Sequence, residues 1–209
     1  MKRRIGKCTY CGRLVGRLER EHVIPKCLYP DSKAKSRVQR LTVLSCSNCN
    51  GSWSDDEAHF RNVLLVAGEP NAAVQELWST ATSRSFRQCD GRRRLQELVA
   101  LMVPVQVDGK DRWMIYPARD ERVLRVIKKI VCGLSHHHGI ESAIPESRIT
   151  ADVMKFRIPD EFLNEIQFRH REWDIIQYWY ETYQDGPTSA LWLLNFFERR
   201  MFIAWVLRK

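Results

Sequence analysis

The spacing of apolar and polar residues divides this chain into stretches of different period. Residues 40–45 alternate apolar and polar, the period-two pattern of a strand. Ser54 and Glu57 stand at capping-box spacing and predict a helix over 55–67, broken by Gly68-Glu69-Pro70. Residues 71–88, with Ala72, Ala73, Leu77 and Trp78, predict a second helix, and 92–101 a short third. The runs 103–107 and 113–116 flank Asp108-Gly109, a pair suited to a tight hairpin turn. From 118 to 138, Val123, Ile127, Ile130, Val131 and Leu134 recur at helical spacing, and Gly139 and Pro145 end that run.

The last sixty residues change character. They hold Trp173, Trp179, Trp192 and Trp205, with a turn at Gly186-Pro187. Residues 173–182, 190–197 and 201–207 predict antiparallel strands. The run from Leu191 to Phe197 does not alternate, so a helix stays open there. Their aromatic residues suit a packed core; a base-stacking platform and a protein-binding surface are the alternatives. The expected fold class is α+β, with a strand–strand–helix module over 1–68 and a mixed helical and antiparallel-strand region over 69–209.

Charge sharpens this division. The chain carries a formal net charge of +9. Residues 1–40 hold twelve Lys and Arg against Glu19, Glu21 and Asp31, so the whole excess sits there. A cluster of this kind is the electrostatic footprint of a phosphate-backbone binder. No membrane-spanning run is present, and no apolar run follows the basic Met1-Lys2-Arg3-Arg4, so a reducing cytoplasm is the expected compartment.

The basic stretch holds one cysteine pair, Cys8-Thr-Tyr-Cys11, and a matched second pair, Cys46-Ser-Asn-Cys49, follows it. Two residues between the cysteines let both thiolates of a pair reach one metal. Two such pairs complete a tetrahedral zinc site with no open position, which makes that Zn2+ structural. Two disulfides or buried thiols are the alternative, disfavoured in a reducing compartment. Cys27, Cys89 and Cys132 read as packing residues, with Cys27 nearest the site as a substitute ligand.

Glu21-His22-Val23-Ile24-Pro25 lies between the pairs, and Asn50 directly follows the second. With these residues, the run from Cys8 to about Phe60 resembles the HNH endonuclease family in its zinc-bearing ββα-metal form. The flank from Asn50 to Glu57 is also similar to the helix entry of some members. The resemblance implies that His22 is the general base taking a proton from water. It implies that Glu21 and Asn50 hold a catalytic divalent metal, Mg2+ or Mn2+, since oxygen ligands suit hard cations and leave room for water and phosphate. It further implies DNA as substrate, with RNA as the alternative, and fits a bacterial or phage origin; defence against foreign DNA is a setting that the residues themselves do not carry. A non-catalytic zinc-containing nucleic-acid-binding module, or a nuclease subunit active only with a partner, is the rival expectation. Double-strand cutting would need a homodimer or two separate nicks.

The chain departs from the family twice. Residues 38–45 contain no Asn where the family has one supporting the catalytic loop, which leaves Gln39, Arg40 or the backbone for that task. Trp53 stands where many members carry Lys. His59, on the helix after Asn50, is an additional candidate ligand. His136, His137 and His138 cannot all reach one metal from a helix and read as a polar helix end capped by Gly139.

Overall fold

A computed structural model describes residues 6–34, 40–66, 70–115, 120–156, 158–166 and 168–209. Two short strands, β1 (Gly6–Lys7) and β2 (Leu14–Val15), pair antiparallel around the first cysteine pair. β3 (Glu19–His22) is followed by a 3-10 turn (Lys26–Leu28) and α1 (Asp31–Ala34), and pairs antiparallel with β4 (Thr42–Ser45). α2 (Ser47–Gly51) and α3 (Ser54–Val66) follow. The helix expected over 55–67 is therefore present, but its capping box is not. Ser54 Oγ donates to the Gly51 carbonyl at 3.3 Å, and Glu57 N–H to the Trp53 carbonyl at 2.8 Å, so helical bonding begins earlier and the Glu57 carboxylate is used elsewhere.

α4 (Ala72–Leu77) starts at Asn71, whose side chain accepts from Val74 N–H at 3.0 Å. It runs through a π turn (Trp78–Thr82) into α5 (Ser83–Arg87), so the helix expected over 71–88 carries a bulge. α6 (Cys89–Ala100) begins three residues before the expected start at 92. β5 (Met102–Val107) and β6 (Lys110–Ile115) form the expected hairpin. Its turn has φ of 51° at Asp108 and 70° at Gly109, both left-handed as a type I′ turn requires. α7 (Glu121–His137) is capped by the Asp120 carboxylate at one end. At the other, Ile140 N–H reaches the Ser135 carbonyl and Gly139 N–H the His136 carbonyl, a Schellman motif with Gly139 at φ 71°.

β7 (Ile149–Val153), α8 (Asp160–Glu165), β8 (Phe168–Glu172), β9 (Ile176–Thr182), β10 (Thr188–Phe196) and β11 (Arg200–Leu207) complete the order. The five strands form one antiparallel sheet in the order β7-β11-β10-β9-β8. β10 is buried on both faces, which is why its sequence does not alternate. Ala190, Trp192, Leu194 and Phe196 enter the main core, while Leu193 packs with Trp179 and Leu163 of α8 on the other side. The chain is thus α+β, with helices and antiparallel sheets.

One core crosses the boundary expected near residue 68. It runs from Cys8 to Val206, and the Phe60 ring of α3 meets Phe196 of β10 edge-on at 5.2 Å. α7 is its axis: Val123, Val126, Ile127, Ile130, Val131 and Leu134 are each 0% exposed. Burial of a side chain of that size contributes roughly 1.5–3 kcal/mol. Among the described residues no helix is long and apolar enough to cross a membrane.

The histidine run is not simply a polar end. His138 sits among Tyr178, Tyr180 and Trp192, with its ring nitrogens 3.0 Å from Tyr178 Oη and 3.2 Å from Tyr180 Oη. Burial, with the neighbouring His137 and His170, lowers its pKa to about 4. Between that value and the ordinary one near 6.5, the unfolded chain binds the proton and the folded chain resists it. Stability attributable to His138 is therefore complete above about pH 6.5 and falls away toward pH 4. Urea titrations across this window are expected to show a shallower acid decline for His138→Phe than for the wild type.

Candidate metal centre and its surroundings

The first cysteine pair lies on a knuckle closed by backbone bonds. Gly12 N–H donates to the Cys8 carbonyl at 2.9 Å, and Cys8 N–H to the Arg13 carbonyl at 2.9 Å. Gly12 has φ 69°, a left-handed turn that a side chain would strain. The second pair sits at the start of α2, where Asn50 N–H donates to the Cys46 carbonyl at 2.9 Å. The β3–β4 pairing brings the two knuckles together. Cys8, Cys11, Cys46 and Cys49 place their four sulfurs within 4.8 Å of one another. All four are free thiols, and Cys11 Sγ and Cys46 Sγ lie 3.9 Å apart. A tetrahedron with Zn–S bonds of about 2.3 Å has edges of about 3.8 Å, against about 2.0 Å for a disulfide. The cluster can hold one metal ion such as zinc.

Without an ion the surroundings act on the thiols unequally: burial and the neighbouring thiols push Cys49 up, whereas Cys11 is drawn toward thiolate. Cys46 N–H donates to Cys8 Sγ at 3.3 Å and Arg13 Nε to Cys11 Sγ at 3.5 Å. Burial opposes ionisation of Cys11, but hydrogen bonds from the Arg13 side chain and backbone and from the neighbouring thiols bring it down to about 6. Cys27 is not in the cluster; its thiol donates to the Glu57 carbonyl at 3.5 Å, and burial raises it to about 12. Cys132 is buried as expected, whereas Cys89, read as a packing residue, is exposed.

β3 carries the remaining candidates, and its alternation separates them. Glu19 and Glu21 share one face, Arg20 and His22 the other. Asn50 Nδ2 donates to Glu19 Oε2 at 2.9 Å, and Arg17 pairs with Glu19 at 3.2 Å. Glu21 instead meets Lys129 of α7. The Lys129 ammonium, with a side chain 0% exposed, donates to Glu21 Oε1, to Glu57 Oε1 and, at 3.2 Å, to the His22 carbonyl. Burial pushes the Glu21 carboxyl up against the pull of Lys129, and Glu57 adds to the push.

His22 is half-buried, and its Nδ1 is buried with no protein partner among the described residues. Burial lowers its pKa, and the nearby Arg40, Lys26 and Lys129 lower it further, against the pull of Glu172. Arg40 stacks 4.4 Å over the Tyr29 ring, and Tyr29 Oη donates to the buried Glu172 carboxylate, so the end of β8 borders this corner. An open cleft of about 420 Å³ alongside is lined by Lys26, Tyr29, Arg40, Glu57 and Arg61; His22 is not in its wall.

In the stretch where no Asn stands, Val23 N–H donates to the Leu41 carbonyl at 3.0 Å, a backbone bond that extends the β3–β4 pairing. Gln39 lies outside the described residues, as do Lys2, Arg3, Arg4, Lys35 and Arg37 of the basic cluster. Trp53 stacks with the Arg125 guanidinium at 4.7 Å rather than presenting a cation. His59 Nε2 pairs with Asp120 Oδ2 at 2.6 Å, tying α3 to the start of α7 away from Glu21.

A divalent ion at Glu21 and Asn50 needs oxygens free to face it. The Glu21 carboxylate is engaged by a buried ammonium, and the Asn50 amide faces Glu19 instead. Glu21 and Asn50 are thus turned to different partners, Lys129 and Glu19, and nothing in this arrangement supports an Mg2+ or Mn2+ ion shared between them. Lys129 and Glu57 were not legible as site residues: Lys129 reads as one polar position of an amphipathic helix, and Glu57 as a capping residue. Comparison with family models, with curated proteins and with solved structures finds no match for this chain.

Proposed function

We propose that the chain is an HNH-type endonuclease that hydrolyses phosphodiester bonds in DNA, with His22 as the base that takes a proton from the attacking water. One observation carries this reading. At the end of a hairpin fastened beside the four-cysteine cluster stands a half-buried imidazole whose Nδ1 is shut off from solvent, leaving Nε2 to face a water, with Arg40 and Lys26 close by. A base needs a lone pair free to accept a proton, and a scissile phosphate needs cations beside it. Arg40 and Lys26 serve as the cations that bind the phosphate and offset charge developing on its oxygens. The surplus of Lys and Arg in residues 1–40 supports a polyanionic substrate. No step is assigned to a divalent metal. A role in bacterial or phage DNA defence is the biological setting we attach to this activity.

A second reading is a zinc-containing module that binds nucleic acid without cutting, or cuts only with a partner. The engagement of Glu21 by Lys129 favours it. Supercoiled plasmid separates the two. Conversion to the nicked circle by the purified chain supports the nuclease; retarded but intact plasmid sinks it in favour of the second reading.

A further inference from the structure

We propose that the cavity between α8 and the outer face of the sheet binds a nucleoside phosphate. It encloses about 530 Å³, within the range of small-ligand sites. The cavity lies across the molecule's second, smaller core cluster, and its residues are not those of the cysteine cluster or of His22.

Its floor offers hydrogen-bonding groups that the fold does not use. Gln177 of β9 and Asn195 of β10 face each other in register, both half-buried, and neither side-chain amide has a hydrogen-bond partner among the described residues. Side by side they present two carbonyl acceptors and two N–H2 donors. Such a pair matches the mixed donor and acceptor edge of a nucleobase. Trp179, 3% exposed, and Met201 give the floor beside them an apolar surface, and Phe156, 71% exposed, stands at the mouth where a ring can stack on it.

The rim is cationic. Lys155, Arg169 and Arg200 line it, and none of the three has an acidic partner among the described residues. Arg200 is half-buried, a costly place for a guanidinium with no counter-ion. Of the acids at the edge, Glu198 is held by Arg171. Guanidinium groups bind phosphate through paired N–H donors, so the rim takes the phosphate and the amides take the base. An inorganic anion would satisfy the rim and leave the amides unused.

The ligand is a free nucleotide or the terminal nucleotide of a strand, and titration calorimetry on the full chain distinguishes them. The probes are the ribonucleoside 5′-monophosphates, inorganic phosphate and a 5′-phosphorylated single-stranded hexanucleotide. At least one monophosphate or the hexanucleotide is expected to bind more tightly than phosphate. The tighter of the two names the source. Arg200→Met is expected to weaken that binding about tenfold or more, the loss of one charge-assisted hydrogen bond. Arg169→Ala, on the exposed rim where folding is not at stake, is expected to weaken it as well. Asn195→Leu should reduce nucleotide binding and leave phosphate binding alone. His22→Ala should change none of these values, so the result stands apart from the nuclease reading. Absence of binding by every nucleotide probe, phosphate binding as tightly as the nucleotides, or unchanged affinity in both arginine variants would overturn the proposal.

Discussion

Cys46→Ser is expected to yield a protein without stoichiometric zinc and without a single cooperative unfolding transition. Four thiolates around one ion supply a large part of the folding free energy of a small module; in zinc-finger peptides the ion contributes on the order of 10–16 kcal/mol. Here the module has two-residue and four-residue strands and little apolar surface of its own. The damage should also spread, because Cys8 and Cys46 belong to the same core as α7 and the sheet. Metal analysis of the purified protein and a calorimetric scan check this together. Cys89→Ser is the control: that thiol is exposed and outside the cluster, so zinc content and unfolding should match the wild type. A chelator added to the wild type should reproduce the Cys46→Ser scan.

Lys129→Met is expected to destabilise the fold by about 3–5 kcal/mol, the usual loss when one partner of a buried ion pair is removed. The methionine fills a similar volume, so the cost is electrostatic. Glu21 and Glu57 would face each other with side chains only 12% and 16% exposed and no cation between them. Denaturant titration gives the size, and pH gives the cause. Glu21 is already pushed up by burial and by the neighbouring Glu57, and without Lys129 that push is unopposed, so protonation of Glu21 favours the folded variant. The deficit is full at neutral pH and shrinks as pH falls through the raised carboxyl range. Adding Glu21→Gln to Lys129→Met should recover part of the loss at pH 7. A deficit independent of pH would point to packing instead.

How far the sequence reaches depends on which physical signal each element carries. α3, α7 and the β5–β6 hairpin were legible because periodicity and turn chemistry are local properties. The Asp108-Gly109 step and the Gly139 cap act within five residues, and both adopt the expected geometry. β7, β8 and α8 were not legible. β8 reads Phe168-Arg-His-Arg-Glu172, a nearly all-polar strand whose pairing with β9 is set by its neighbour. β10 was ambiguous for a physical reason, since burial on both faces removes the alternation that marks a strand. At the site, the cysteine spacing announced the cluster, because CxxC geometry is also local. The partners of Glu21 and Asn50 are another matter. Lys129 lies 108 residues from Glu21, and no local pattern tells a helix cation that points into the core from one that faces water. Separation in sequence also hid the aromatic surroundings of His138, where Tyr178 and Tyr180, 40 and 42 residues away, replace solvent.

The central claim is that His22, held in the hairpin beside the four-cysteine cluster, is the base of a DNA-cleaving centre. The most direct test is plasmid nicking by the wild type beside His22→Ala, at equal zinc content and equal DNA affinity. Loss of a general base costs about 10²–10⁴-fold in rate, so the account predicts nicking by the wild type that falls by at least about a hundredfold in the variant. Equal nicking by both proteins would contradict it.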